Sequence, residues 1–432
     1  MRALRRRRIW LNTTTLGRRA LFLALSLAGA GHAEAWSEAA GTAHVCAAGP
    51  QEALARAEQA RGEAAVSSAS LLPNPALVAQ QQGMFNGAQG QETIVGVNVP
   101  LGLGGQWFLG QDAARARRDA AFADARATRF ESALAFRMAY VAAAVAQARV
   151  EVLTEQQAAL DAMTATVDKL SQGGEAAAYD FARQQTQARL HRRLLESARA
   201  DALRAVRTLE QWTGEPGSLA PVALADLAGG AAVARNATMT ETRLPRLQSL
   251  EAHVTASAFD AEAAGRRWIP DPELFAGYRT TSAAASEREH GVALWLNVPL
   301  PFFDHGQGEA AAAAAQRDIA RSTAEALRRQ SNAEREAAAS QLAILEASLP
   351  EVEQTASEAM AQQEKATRLY SAGESTITEL IDAFRTAEEA RLARVELALE
   401  IAGTRLSVMR SSGSMFDTSL DEKCRANSGT QR

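Results

Sequence analysis

Two periodicities divide the chain. Val292, Leu294, Leu296 and Val298 alternate with Ala293, Trp295 and Asn297, and Val95, Val97 and Val99 alternate with Ile94, Gly96 and Asn98. Alternation with period two predicts strands with one apolar face, over 91–100 and 291–299. Residues 76–83 and 272–280 read as weaker partners. The intervening loops, 84–90 and 281–290, are polar and contain Gly or Ser, as hairpin tips do. The rest of the pattern is helical. Residues 111–172 contain neither Gly nor Pro; as one helix that run is about 90 Å long at 1.5 Å per residue. Residues 309–349 also lack both, with Pro350 the only interruption before Gly373, and the return legs 175–213 and 374–402 are unbroken. Helices of this length do not fit inside a compact domain and predict a coiled coil or a helical tube.

The same order of features occurs twice, at an offset of 197 to 201 residues. Pro73-Asn74-Pro75 recurs as Pro270-Asp271-Pro272, and Asn98-Val99-Pro100-Leu101 as Asn297-Val298-Pro299-Leu300. Gly105-Gln106 recurs as Gly306-Gln307, and Gly174-Glu175 as Gly373-Glu374; Pro50 answers to Pro245 and Gly214 to Gly413. Several matches in one order at nearly constant spacing predict an internal duplication. Repeat 1 is 50–214 with its tip at 171–175, and repeat 2 is 245–413 with its tip at 371–375. Each reads as a helix, two strands, a long helix and a return helix. The connector 215–244 is rich in Gly, Pro and Ala, 36–49 is a short N-terminal segment, and the tail 414–432 is polar and flexible.

Residues 1–35 read as a secretory signal. Seven Arg precede or border the apolar stretch Ala20–Ala30, and small residues follow at 32–35. That stretch is shorter than the roughly 20 residues a spanning helix needs. Removing the segment takes seven Arg and one Glu, and the formal net charge moves from −4 to −10. An acidic exported chain argues against nucleic acid as a partner. With 47% hydrophobic but only 5% aromatic residues, the composition favours long helices over large globular cores. Two cysteines, Cys46 and Cys424, exclude a disulfide framework. A bridge between them stays open, as does lipidation of Cys46 as a minority reading.

On alternation alone a small soluble sheet is the blander account of the strands. The secretory signal and the long helices favour membrane strands instead. Four strands cannot close a barrel, and an open sheet edge leaves backbone groups unsatisfied in lipid. Closure takes at least about eight strands. The chain must then oligomerise, and a trimer supplies twelve strands while gathering its long helices into a tube. The predicted fold class is an α+β membrane protein. Helical hairpins form a periplasmic α-barrel, and four strands per protomer contribute to a trimeric outer-membrane β-barrel.

From Pro50 to Gly413 the chain resembles the TolC-type outer membrane factor family. The resemblance is carried by Pro-Asn-Pro-Ala-Leu at 73–77, by Val-Pro-Leu before each long helix and by the two tip segments. The junction Pro299-Leu300-Pro301-Phe302-Phe303-Asp304-His305-Gly306-Gln307-Gly308 is similar to the heavy-metal (cobalt–zinc–cadmium) efflux branch. The resemblance implies a homotrimer embedded in outer-membrane lipid. It implies a periplasmic adaptor and an inner-membrane proton-driven transporter as partners, and neither catalysis nor a cofactor. It sets the gate at the hairpin tips. Asp180 and Tyr370 fall where neighbouring protomers link. Ser375 stands where some members carry Arg, which replaces a charge-assisted bond by a weaker one. Glu379 and Asp382, three residues apart on one helix face, match the family's acidic constriction, whereas charges at that spacing are often a plain solvated face. Three copies of each would make carboxylate rings that favour cations. Gly174 and Gly373 supply left-handed turns.

Other chemistry is weak. Gly102-Leu103-Gly104-Gly105 is superficially similar to a dinucleotide loop, but Trp107 holds the third Gly position. The six His are scattered; His290 and His305 lie where they could meet metal ions, though isolated surface histidines explain them as well. Drug efflux or secretion remains the alternative within the family reading. A periplasmic coiled-coil scaffold or adaptor is the alternative of another class.

Overall fold

The computed structural model describes residues 35–84, 90–102, 105–174, 177–214, 218–219, 244–283 and 288–413. The expected signal up to residue 34, most of the 215–244 connector and the 414–432 tail lie outside the described residues. In order the elements are β1 (Ala35–Trp36), α1 (Glu38–Ala48), α2 (Pro50–Ser70), β2 (Ala76–Met84), β3 (Gly90–Pro100), α3 (Gln106–Gln172), α4 (Ala178–Thr213), β4 (Ser218–Leu219), α5 (Pro245–Gly265), β5 (Glu273–Ala283), β6 (Glu289–Asn297), α6 (Gln307–Ser371) and α7 (Ile377–Ser412).

Local chemistry sets the helix starts. Pro50 and Pro245 open α2 and α5, where a missing N–H costs nothing. Ser37 caps α1 by accepting from the Ala40 N–H at 3.2 Å. Thr376 caps α7 in a reciprocal capping box with Glu379. The long helices have 67 residues in α3 and 65 in α6. Each is covered along its length by a short helix and a return helix placed end to end. Against α3 lie α2 and α4, whose ends meet where Pro50 approaches Gly214; against α6 lie α5 and α7.

The helices pack by repeating seams. On α4, Gln184, Ala188, His191, Leu195 and Ala198 are buried at steps of three or four residues, the spacing that keeps one stripe inward. Near the tips Leu160, Met163, Val167, Ile377, Leu380 and Phe384 form a core. Farther up, Phe130, Leu134, Val141, Val395, Leu406 and Met409 form a second, which includes Cys46 of α1. Cys46 is 2% exposed, inside a helix and a core, which does not suit an acylated thiol; its suggested partner Cys424 lies outside the described residues.

The structure corrects several boundaries. The hairpins run further than expected, leaving 85–89 and 284–288 between strands, because ladder pairing uses the backbone and continues through polar Gln and Thr pairs. β6 begins earlier and ends at Asn297 opposite Glu273, so Val298 stands beyond the strand. Pro299 follows it and has no N–H to extend the ladder. Pro350 does not interrupt α6, which runs through it, just as α3 includes Gly110 and α7 includes Gly403. Packing along a long helix outweighs a local break.

Candidate pore and gate

The four-stranded sheet has the order β2-β3-β5-β6, all antiparallel, and β2 and β6 are its two edges. Residues directly opposite in such a sheet share a face. Val95 pairs with Tyr278 and Tyr278 with Val292; Val97 with Ala276 and Ala276 with Leu294; Val99 with Leu274 and Leu274 with Leu296. Leu77 and Ala79 extend these rows into β2. The face so formed is open, with Val292 84%, Leu294 67% and Leu296 56% exposed. Near its far end the Tyr278 hydroxyl bonds His290 Nδ1 at 2.7 Å.

The opposite face holds every Asp, Glu, Lys or Arg of the four strands: Glu92, Glu273, Arg279 and Glu289. Arg279 lies 3.4 Å from Glu92, and Asn98 donates to Glu273 at 2.7 Å. Phe275, fully buried, stacks on Trp295 with centroids 3.5 Å apart and planes at 11°. A Cβ on Gly96 or Gly277 would sit 2.5 or 2.6 Å from its Cζ. Only glycine lets the Phe275 ring lie flat on the sheet.

The other end of the protomer carries the tips. Gly174 and Gly373 adopt φ +79° and +74°, a conformation that reverses the chain without Cβ strain. Of the expected gate residues, Tyr370 is 7% exposed and belongs to the protomer's own apolar core. Burial raises its hydroxyl pKa, and the Asp180 carboxylate adds to the rise. Ser375 Oγ is buried and has no hydrogen-bond partner among the described residues. Glu379 and Asp382 are both exposed on α7. The Glu379 carboxylate also accepts from the Thr376 N–H at 2.9 Å, so it caps its own helix. Arg183 of α4 donates to Thr378 of α7 at 2.8 Å and ties the two hairpins together.

Residues 238–414 match the family model described as outer membrane efflux protein. Solved structures match over most of the chain. CusC, described for its transmembrane channel formation, has a TM-score of 0.68 at 15% identity, over 86% of this chain and 90% of that one. The Campylobacter jejuni CmeC outer membrane channel has 0.71 at 12%, over 91% and 89%. The outer membrane protein VceC from Vibrio cholerae has 0.67 at 15%, over 86% and 95%. The chain has the outer-membrane efflux channel fold. A search of curated proteins found no significant match.

On this channel fold, several polar contacts were not singled out by the sequence. In the tip half, buried His191 Nδ1 bonds Gln157 Oε1 at 2.9 Å, and its Nε2 lies 3.4 Å from Glu388. Burial holds the His191 pKa below its ordinary value and raises that of Glu388. Higher up, Asp124 of α3 meets Ser249, His253 and Arg246 of α5. Period-two alternation exposes the charged sheet face once charges are assigned by parity; the helix contacts have no comparable signal, because all but His191–Gln157 join residues over a hundred positions apart. The junction residues similar to the heavy-metal branch build the start of α6. Asp304 Oδ1 accepts from the Gly306 N–H at 3.0 Å, and Gln307 Nε2 donates to the Phe303 carbonyl at 3.0 Å. Among the described residues, no three His, Cys, Asp or Glu side chains gather as a metal site.

Proposed function

We propose that the chain is the outer-membrane exit duct of a tripartite export system and works as a homotrimer. The observation that carries this reading is the sheet with one bare apolar face, one charged face and two unpaired edges. A face of this size left in water would drive association, and unpaired edges left in lipid would strand backbone groups. Closing β6 of one copy on β2 of the next satisfies both. It turns the apolar rows to lipid and the Glu-rich face to a lumen. The matched halves support a duplicated origin: α2 and α5 have 21 residues each, and α4 and α7 have 36 each. A periplasmic scaffold has no use for the bare face.

The helical hairpins then extend into the periplasm and meet an adaptor, which couples to a proton-driven inner-membrane transporter. The duct performs no chemistry; it holds a pore and a gate. Glu379 and Asp382 are the acidic constriction, and Ser375 Oγ, without a partner among the described residues, awaits one from the neighbouring copy at the closed tip. Tyr370, sunk in its own core, stiffens the tip from within. The heavy-metal reading rests on residues 299–308, whose polar groups bond the local backbone at the start of α6; export of organic cations is the second reading, favoured by the aromatic pair on the lumen face.

Single-channel recording tests the reading. The wild type should show cation-selective steps. Glu379→Ala with Asp382→Ala should weaken block by multivalent cations, while Glu379→Gln, which loses charge but can still cap, separates the ring from the helix cap. Unchanged block and selectivity in both would count against the constriction.

A further inference from the structure

The charged sheet face carries one feature that a passive water-filled barrel does not require. Trp295 lies flat on Phe275 at 3.5 Å and hides it completely, yet remains 38% exposed itself. Its inner face is therefore taken by Phe275 and its outer face is open. Phe275 in turn is seated on Gly96 and Gly277, so the two rings are fixed from beneath and form a rigid platform. Beside it, two residues before Phe275 on the same strand, stands Glu273, held by Asn98 Nδ2 at 2.7 Å. Trp295 is two residues from the end of β6, and Glu273 begins β5, which puts the platform at the end of the sheet next to the helices.

We propose that Trp295 and Glu273 form a weak binding site for planar aromatic cations at the mouth where the helical tube enters the barrel. This inference rests on the duct reading, which turns this face to the lumen and repeats the site three times around it. An indole face is the best of the aromatic side chains at attracting a cation, and stacking on a flat ring rewards a planar solute. The net charge agrees: three Glu against one Arg line this face of each sheet, so cations gather there and anions do not. Open on one side, the site binds weakly enough to release its solute outward, as conduction demands.

The test uses the purified full chain in a planar bilayer, with ethidium as the planar aromatic cation and hexaamminecobalt(III) as a cation without a π face. Ethidium should block the wild-type current from the helical side. Trp295→Leu, which keeps bulk over Phe275, should raise the half-blocking concentration about five- to thirtyfold, with block by hexaamminecobalt unchanged. Trp295→Phe should keep most of the ethidium block, and Glu273→Gln should weaken block by both cations. Equal ethidium block in wild type and Trp295→Leu, at the same open-channel conductance, overturns the site and leaves the duct intact. A wild type without conductance steps overturns the duct reading and the site with it.

Discussion

Replacing Leu294 by Arg tests which face of the sheet meets lipid. Leu294 is the sixth residue of the nine in β6, paired with Ala276, and 67% exposed within the protomer. If that exposure is filled by acyl chains, Arg stands near the bilayer midplane, where it costs about 2–4 kcal/mol per copy. Three copies bring this to about 6–12 kcal/mol per trimer, comparable to the whole stability of a domain. The neighbouring Ala293 lies at the same depth on the opposite face, so Ala293→Arg should meet water and cost little. His290→Arg, near the end of the strand on the apolar face, should cost only about 0–1 kcal/mol. Denaturant titration of protein refolded into lipid vesicles, with the yield of detergent-resistant trimer as a second readout, gives these differences. Similar costs for Leu294→Arg and Ala293→Arg, or a Leu294→Arg variant as stable as wild type, would refute the assignment of faces.

Three further outcomes follow from the helical part. Gly306 has φ +84°, and a Cβ there would run into the Ala264 carbonyl oxygen, so Gly306→Ala should lower thermal stability by about 1–3 kcal/mol, whereas Gly308→Ala, with open space around it, should be neutral or better. Glu52 is 3% exposed and bonds Arg129 at 2.6 and 3.0 Å. Glu52→Gln should cost about 3–5 kcal/mol in a denaturant titration, and Glu52→Leu with Arg129→Met should recover most of it. His253, 2.6 Å from Asp124, has its pKa raised above the ordinary 6.5 by that hydrogen bond, against the opposing effect of burial. Its stabilising share is fully present below pH 6.5 and is lost as pH rises through the folded value. Thermal unfolding of wild type against His253→Gln should diverge on going from alkaline to mildly acid pH; a gap constant across that range would exclude the linkage.

Much of the architecture was legible because it rests on periodicity and on breaks. Runs without Gly or Pro located the long helices, Gly174 and Gly373 marked the reversals, and alternation at Val292, Leu294 and Leu296 marked the exposed apolar face. What was not legible depended on tertiary contacts. The hairpins ran past their apolar residues because backbone pairing does not need them. Pro350 stayed inside α6 because the flanking turns are packed against α7. The resemblance places Tyr370 where neighbouring protomers link, and the sequence gives no sign that its ring also fills a core shared with Leu160 and Phe384. The Phe275–Trp295 platform could not be foreseen, since nothing in the sequence indicates that two glycines on adjacent strands lie under one ring.

In the proposed duct, three copies are needed to close the sheet. Native mass spectrometry of the detergent-extracted protein measures this directly. Closure by three copies predicts a complex of three chains that stays in the membrane fraction until detergent is added. A chain released without detergent, or one extracted as a monomer that still conducts, would contradict it.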